Sequence, residues 1–254
     1  MKKTIERVAL KVLPSQWHFP AMMTYYKLKG SLETEFSLLE DLVGSGKRAL
    51  DIGANIGLYS YALSSLCETV EAFEPQPWAS SRLKKYQIKN INCHNVGLSD
   101  TQGHLDLNIP IINGKEIDGM ASFRDLKGEK NVIRVPVHCV DDYNFDNVSF
   151  MKIDVEGYER QVINGSLVTI EKSRPNLLIE IEQRHLTNSS IDEVFKFILD
   201  LGYDGYFVAD GIINSINTFS FEKHQKPFFP EIEKFGFSPN KNYIHNFFFK
   251  SNIK

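Results

Sequence analysis

The fold of this chain is decided by the stretch Ala49-Leu-Asp-Ile-Gly-Ala-Asn-Ile-Gly-Leu-Tyr-Ser60. It has the pattern of a buried strand that reaches Asp51, followed by a glycine-rich turn that opens a helix. The next strand, Val70-Glu-Ala-Phe-Glu-Pro75, ends in the acidic residue Glu74 about 20 residues further on. In α/β proteins this layout forms a nucleotide-type site. Backbone N–H groups at the helix start hold one end of the ligand, and the strand-end carboxylate accepts hydrogen bonds from ribose hydroxyls.

The spacing of the glycines indicates the kind of ligand. Gly53 and Gly57 are spaced as G-x-x-x-G, whereas a dinucleotide site has G-x-G-x-x-G, in which the middle glycine lets a pyrophosphate approach the backbone. Asn55 stands at that middle position, and its side chain would crowd a pyrophosphate. The turn therefore favours a ligand without phosphates, such as S-adenosylmethionine (SAM). The alternative is a tight turn that binds no ligand, and the acidic end of the second strand argues against it.

The composition is that of an ordinary globular protein. Of the 254 residues, 42% are hydrophobic and 24% are charged, which suffices for one domain with a full core. The net charge of −3 gives no electrostatic reason to expect a nucleic-acid partner. Cys67, Cys93 and Cys139 are far apart and predict reduced thiols in a cytosolic protein, not a disulfide frame or a zinc site. No apolar run approaches the ~20 residues that span a membrane.

The chain divides into an N-terminal helix and flap, residues 1–30, and a main domain, residues 31–254. A first helix is predicted from the helical spacing of Ile5, Val8, Ala9 and Val12. Its polar face is basic, so it can lie against an anionic membrane, but packing on the chain's own core is favoured. Residues 14–30 are aromatic-rich and predict an irregular flap. The expected location is the cytoplasm, with attachment to the inner membrane face as the alternative.

Alternating strands and helices predict an α/β fold with a mostly parallel sheet. The predicted strands cover residues 48–52, 69–73, 91–96, 149–154 and 176–182. The predicted helices cover 31–43, capped by Ser31, and then 56–66, 77–89, 158–165 and 191–199. A β-hairpin insertion at about 103–137 interrupts the alternation, and its polar loop, 113–130, is expected to cover the site. Two C-terminal strands, 203–208 and 243–249, lack a clear helix between them and are expected to pair antiparallel.

Charged residues occupy two strands that should be apolar. Lys152 and Asp154 share one face of the fourth strand, and Glu180 and Glu182 share one face of the fifth. A buried charge needs a partner or a polar cleft. One interpretation is therefore a structural ion pair of Lys152 with Glu180 or Glu182. The other is a cleft at the carboxyl ends of the strands, where open α/β sheets place their ligands. The acid–base candidates for that cleft are Asp154, Glu156, Glu182 and His185.

Four motifs of the chain resemble those of the FkbM-type SAM-dependent methyltransferases. They are Asp51-Ile-Gly-Ala-Asn-Ile-Gly57, Phe73-Glu-Pro75, Asn95-Val-Gly-Leu-Ser-Asp100 and Met151-Lys-Ile-Asp-Val-Glu-Gly-Tyr-Glu159. The similarity runs from about residue 33 to residue 182, and the last motif is much more specific than the glycine turn. The resemblance implies a Rossmann-like class I methyltransferase sheet of seven mostly parallel strands with an antiparallel last strand. It also implies O-methylation of a sugar, a glycan or a related small metabolite.

The resemblance also implies the parts of the cofactor site. The methionine end of SAM would be held by Asp51, Gly53, Ala54, Asn55 and Gly57. The ribose would contact Glu74 and Pro75, and the adenine would lie beside Leu98, Ser99 and Asp100. Gly97 stands where the family usually has alanine, a small departure. Residues 1–30 and 113–130 match nothing in the family pattern and are expected to determine the acceptor.

Methyl transfer to a hydroxyl needs a positioned base, because the hydroxyl becomes a good nucleophile only as its proton leaves. Asp154 or His185 is the predicted base, and Glu156 and Glu182 would orient the acceptor or the base. Lys152 would hold a developing alkoxide, unless it pairs with Glu180. The acidic cluster could also hold Mg²⁺, but without a tight ligand motif a metal is not favoured.

Two other functions share parts of this pattern. A Rossmann-type NAD(P)-dependent oxidoreductase would have the same strand, turn, helix and acid, but its glycine spacing differs. A non-catalytic relative that only binds SAM need not retain the glycine turn, Glu74 and the strand-end carboxylates together. A homodimer contact is an alternative to the core for the phenylalanine-rich segments, namely Phe219, Phe221, Phe228, Phe229 and Phe247 to Phe249.

Overall fold

The structure, a computed structural model, describes residues 14, 17–29, 32–44, 46–187, 189–235, 240 and 242–252. The strands are β1 (Arg48–Ile52), β2 (Thr69–Phe73), β3 (Ile91–His94), β4 (Gly97–Leu98), β5 (Gly103–Ile112), β6 (Lys115–Glu116), β7 (Lys130–His138), β8 (Val148–Ile153), β9 (Asn176–Glu180), β10 (Tyr203–Ala209), β11 (Ile212–Ser215) and β12 (Asn246–Ser251). The helices are α1 (His18–Leu28), α2 (Leu39–Val43), α3 (Leu58–Ser64), α4 (Pro77–Lys85), α5 (Glu159–Asn164), α6 (Leu167–Ser173), α7 (Ile191–Asp200), α8 (Phe221–His224) and α9 (Phe229–Phe235).

Within the described residues, eight strands form one sheet in the order β11-β10-β12-β9-β8-β1-β2-β3. The five strands from β9 to β3 are parallel, and β12 lies antiparallel between β9 and β10. The mostly parallel sheet with a reversed last strand is therefore confirmed. The strand β11 at the edge was not predicted. The sequence Asp210-Gly211 could have indicated this strand, because Asp-Gly is typical of a two-residue hairpin turn. Both residues have positive φ in the structure and connect β10 to β11.

The central strands of the sheet are buried on both faces. Neighbouring residues of a strand point to opposite sides, so each strand contributes to the core on both faces. In β8, Met151 and Ile153 pack in the core on one face, whereas Phe150 packs on the other. The last strand follows the same alternation, with Phe247 and Phe249 on the first face and Phe248 on the second. These three rings are almost fully buried, which places them in the core and not at a dimer contact.

The insertion forms a second, four-stranded sheet in the order β4-β7-β5-β6. Its long hairpin pairs β5 with β7 antiparallel from Gly103–Val137 to Pro110–Lys130, which confirms the predicted hairpin. The loop between the hairpin strands contains β6 and a short 3₁₀ helix, Asp118–Met120.

The structure differs from the predictions near the N-terminus. The predicted irregular flap was wrong, because residues 18–28 form the helix α1, whose Phe19 stacks on Tyr61 at 4.8 Å between ring centroids. The helix predicted over 31–43 is a 3₁₀ helix, Thr34–Leu38, followed by α2, and its proposed cap Ser31 lies outside the described residues. The amphipathic helix of residues 1–13 also lies outside them.

Candidate functional site

The glycine turn after β1 is shaped by close packing against the end of β8. Gly53 has φ +82°, and a Cβ at this position would lie 1.8 Å from the carbonyl oxygen of Asp154. Asn55 follows with φ 48°, a left-handed conformation that asparagine tolerates. Gly57 has φ +86° and faces Leu83 of α4, so a side chain there would also clash. These two glycines are therefore required by the fold itself.

The backbone N–H groups of this turn bind the protein itself. Those of Gly53 and Ala54 both donate to the Phe73 carbonyl at 3.0 Å, and that of Asn55 donates to Glu74 Oε2 at 2.7 Å. A pyrophosphate site needs such groups to point at the ligand. The N–H groups of these three residues already have acceptors within the protein, and the expectation that the turn holds the methionine end of SAM stays a prediction.

Glu74 occupies the end of β2 and is only 2% exposed. Its carboxylate accepts the N–H of Asn55 on one oxygen and the N–H of Gln76, at 2.8 Å, on the other. Burial nevertheless raises the pKa of this carboxyl from 4.5 to about 7, although both hydrogen bonds act to lower it. Glu74 therefore fixes the glycine turn to the end of β2 and has a carboxyl that titrates near neutral pH.

A cleft lies between the glycine turn, the end of β2 and the insertion. Five of the predicted cofactor-site residues line it, namely Gly53, Asn55, Glu74, Pro75 and Leu98. The insertion supplies another part of its lining, namely Leu107, Asp118, Gly119, Ala121, Ser122 and Phe123. Asp154, Val155 and Glu156, which follow β8, supply a further part, and the lining is completed by Ile52, Phe73, Gln76 and Gly97. The predicted covering of the site by the loop 113–130 is therefore confirmed.

The other predicted cofactor-site residues are not part of the cleft lining: Asp51, Ala54, Gly57, Ser99 and Asp100. Ser99 is 1% exposed and donates to Asp100 Oδ1 at 3.2 Å, while Asp100 itself is exposed. The insertion contributes Phe123 to the cleft lining, with its ring against Gly97. Sequence reasoning missed Phe123 because it lies in a loop without a recognisable motif.

Asp51 is fully buried beneath the glycine turn. Its Oδ2 accepts a hydrogen bond from Ser60 Oγ at 2.5 Å, whereas its Oδ1 has no hydrogen-bond partner among the described residues. Burial raises the pKa of this carboxyl, and the nearby charge of Lys152 acts to lower it. Asp51 thus retains one acceptor that a ligand donor could satisfy.

The four predicted acid–base residues meet with Glu180 at the ends of β8 and β9, beside the cleft. Carboxylate oxygens of Asp154, Glu156 and Glu180 lie within 4.8 Å of one another, and so do the donor atoms of Glu156, Glu182 and His185. Both groups have hard donors that suit a divalent ion. The expectation that the reaction needs no metal stays a prediction.

The predicted pairing of Lys152 with Glu180 or Glu182 was wrong. Lys152 Nζ lies 2.8 Å from Asp154 Oδ2, two residues further along the same face of the chain. In the parallel ladder the residue opposite Lys152 is Leu178. The prediction that Lys152 is buried was right, since its side chain is 5% exposed and lies 4.5 Å from the centre of the Tyr59 ring.

Glu182 is held by residues that sequence reasoning did not select. Arg184 donates to both of its oxygens, at 2.6 and 2.8 Å, and Tyr243 donates its hydroxyl to Oε2. Burial acts to raise the pKa of Glu182, but the hydrogen bonds and charge of Arg184 lower it to about 2. Glu182 is therefore a charged anchor of the site whose oxygens already have partners.

Glu156 and His185 form a pair in which neither group favours its charged form. His185 Nε2 lies 3.3 Å from Glu156 Oε2. Burial lowers the pKa of His185 to about 3. Burial and the neighbouring carboxylates of Asp154 and Glu182 raise the pKa of Glu156 well above its usual range, and Glu180 behaves in the same way. Burial therefore disfavours the charged form of both carboxyl groups, and a protonated carboxyl can donate a hydrogen bond.

The order of the strands, the reversed β12 and a cleft at the carboxyl ends of β1 and β2 define a Rossmann-like fold of the methyltransferase type. Residues 51–204 match the family model of the methyltransferase FkbM domain, which is more than half of the chain. The chain belongs to the FkbM methyltransferase domain family.

Two known proteins show the extent of the similarity. The crystal structure of methyltransferase FkbM from Methylobacillus flagellatus KT superimposes with a TM-score of 0.52 at 18% identity, over 92% of this chain and 52% of that one. "Methyltransferase 1" of Beauveria bassiana (strain ARSEF 2860) is 26% identical over 141 residues, 46% of this chain and 57% of that protein. The chain thus spans little more than half the length of these relatives. In the part of the chain that the structure describes, no helix is long and apolar enough to cross a membrane.

Proposed function

We propose that this chain is a SAM-dependent methyltransferase that methylates a hydroxyl group of a sugar, a glycan or a related small metabolite. The observation that carries the proposal is the continuity of two sites. The cleft between the glycine turn and Glu74 is bounded by Asp154 and Glu156, which belong to the carboxyl cluster at the ends of β8 and β9. A methyl donor and an acceptor would therefore meet at one place.

The residues of the cleft fit SAM better than a dinucleotide. Glu74 lines the cleft and would accept hydrogen bonds from the ribose. The N–H groups of Gly53, Ala54 and Asn55 already have acceptors, so they offer no cradle for a pyrophosphate. This argues against a NAD(P)-dependent oxidoreductase.

When bound, the cofactor supplies a methyl carbon activated by its sulfonium. The protein has to place the acceptor oxygen in line with that carbon and remove its proton. Asp154 is the better base, because its side chain is 29% exposed, lines the cleft and has its charge balanced by Lys152 at 2.8 Å. His185, with a pKa of about 3, is a weak proton acceptor and serves instead as the partner of Glu156.

The charges around the cluster support a neutral acceptor. Among the described residues, three cations lie beside it: Lys152 is paired with Asp154, Arg184 is paired with Glu182, and Arg124 donates to the Glu156 carbonyl oxygen. A phosphate bound there would lie among carboxyl groups, and its negative charge would be repelled by those that are ionised. Burial disfavours the charged forms of Glu156 and Glu180. Each carboxyl can accept hydrogen bonds from hydroxyl groups and, when protonated, can also donate to them, which suits a sugar.

Binding and turnover test the proposal in sequence. Calorimetry should show that SAM and its product S-adenosylhomocysteine bind, whereas NADH fluorescence should not change with added protein. Transfer of a labelled methyl group is then measured on matched neutral and phosphorylated sugars, with the neutral ones expected to react. Binding of NADH without SAM would overturn the proposal. Binding of S-adenosylhomocysteine without transfer to any acceptor would favour the non-catalytic relative.

A further inference from the structure

The insertion is hydrogen-bonded to the turn that carries Glu156. Ser122 Oγ and Arg124 Nε each donate to the carbonyl oxygen of Glu156, both at 2.7 Å. These contacts join segments 34 and 32 residues apart in sequence. Because one carbonyl oxygen has two lone pairs, this pair of donors saturates it. The hydrogen-bond acceptor is a backbone atom, so the two donors fix the backbone at Glu156 and not its side chain.

The turn at Glu156 has a backbone conformation that needs such support. Glu156 has φ 56°, which is uncommon for a residue with a long side chain, and Gly157 follows with φ +96°. A Cβ at residue 157 would lie 2.4 Å from Arg124 Nε and 2.8 Å from the His185 carbonyl oxygen. Residues in such conformations persist only where the surroundings determine them. Here the surroundings include the insertion.

The two donors are themselves fixed on the hairpin. Asn108 of β5 exchanges both backbone hydrogen bonds with Ser122, at 2.8 and 3.0 Å, and its side chain donates to the Arg124 carbonyl at 2.9 Å. The Arg124 N–H donates to Ser122 Oγ at 3.1 Å. Asn108 is 7% exposed and Ser122 is 1% exposed. The donors are therefore built into the folded hairpin and are not surface groups that happen to touch the turn.

We propose that Ser122 and Arg124 are positioning residues, which hold the turn at Glu156 so that the Glu156 carboxyl meets His185 and lies beside Asp154. This inference rests on the proposed function, because it assigns the insertion a part in the methyl-transfer step. The two residues act through the backbone of Glu156 and need not touch the acceptor. Their loss should reduce turnover while the binding of the donor, which depends on Glu74 and the glycine turn, is retained.

The test compares Ser122→Ala, Arg124→Gln and Arg124→Lys with the control Arg134→Ala, which removes an exposed arginine of the same hairpin. Arg134 pairs with Asp106 at 3.2 Å, outside the cleft lining. The ¹⁵N resonance of the His185 imidazole reports on its contact with Glu156 and needs no acceptor. It should move in Ser122→Ala and Arg124→Gln, move less in Arg124→Lys, which retains a donor, and stay in place in Arg134→Ala.

The kinetic readout uses the acceptor that the labelled-methyl screen provides. The kcat of Ser122→Ala and Arg124→Gln should fall about 10- to 100-fold, with the dissociation constant for S-adenosylhomocysteine unchanged within about twofold. An unmoved His185 resonance in both variants overturns the inference, whether or not an acceptor is known. Loss of S-adenosylhomocysteine binding together with turnover also overturns it, since it shows a general role in the fold. Failure of the wild-type protein to bind S-adenosylhomocysteine contradicts the proposed function instead.

Discussion

Gly97 and Phe123 fit together because residue 97 has no side chain: a Cβ there would lie 2.4 Å from Cζ and 2.7 Å from Cε2 of the Phe123 ring. Both residues line the cleft, one from β4 and the other from the insertion. The glycine at residue 97, in place of the alanine expected from the resemblance, therefore makes room for an aromatic ring of the insertion. The same ring packs edge-on against Tyr158 at 5.4 Å, next to the turn at Glu156.

Gly97→Ala should therefore destabilise the protein by about 1–3 kcal/mol, because an extra methyl group forces the ring of Phe123 out of its position. The measurement is the free energy of unfolding in urea. Phe123→Ala serves as the control, since it removes the ring that the methyl group meets. The double variant should lose less than the sum of the two single losses, and strictly additive losses would contradict the close fit.

Glu74→Ala should weaken the binding of S-adenosylhomocysteine about 10- to 100-fold, because the buried carboxyl that accepts hydrogen bonds from the ribose hydroxyls is lost. Calorimetry measures this directly. The matched control is Glu71→Ala on the same strand, since Glu71 is also buried but pairs with His94 at 2.8 Å, away from the cleft. Equal affinity of wild type and Glu74→Ala would remove the ribose assignment.

The stability of the ligand-free protein should fall as the pH rises through neutrality. The pKa of Glu74 is 4.5 when unperturbed and about 7 in the folded protein. The folded state therefore holds the proton more tightly. The stabilisation that comes from protonated Glu74 is complete below about pH 4.5 and is lost as the pH rises past 7. The free energy of unfolding falls by about 3 kcal/mol in total. Urea unfolding at pH 5 and pH 8 should show this fall, and Glu74→Gln should show a smaller one. An equal fall in both proteins would assign it to other groups, such as Glu159, whose pKa burial also raises to about 7.

The sequence allowed the fold and part of the cleft lining to be predicted, because both follow from local patterns. The buried strand before Gly53 and the acid at residue 74 recur at fixed spacing in such folds. The meeting of Asp154, Glu156, Glu182 and His185 followed from the rule that parallel strands end at one edge of a sheet. The structure brings them together there.

The errors have a different physical cause. The partner of Lys152 depends on the register between β8 and β9, and the sequence does not specify register in strands buried on both faces. The true partner, Asp154, is its neighbour on the same side of the chain. The hydrogen bonds of Ser122 and Arg124 depend on where a hairpin loop packs, which no local pattern encodes. That is also why Phe123 could not be found in advance.

Asp154→Asn should lower kcat about 10²- to 10⁴-fold, because the variant cannot take the proton of the acceptor hydroxyl. S-adenosylhomocysteine should bind as in the wild type, since the amide has nearly the same shape as the carboxylate. His185→Gln should cost much less, because an imidazole with a pKa of about 3 is already a weak base. The control is Asp106→Asn, an exposed carboxylate of the insertion that pairs with Arg134. Initial rates of labelled-methyl transfer decide between the two bases: wild-type turnover by Asp154→Asn, with a large loss in His185→Gln, would transfer the role to His185.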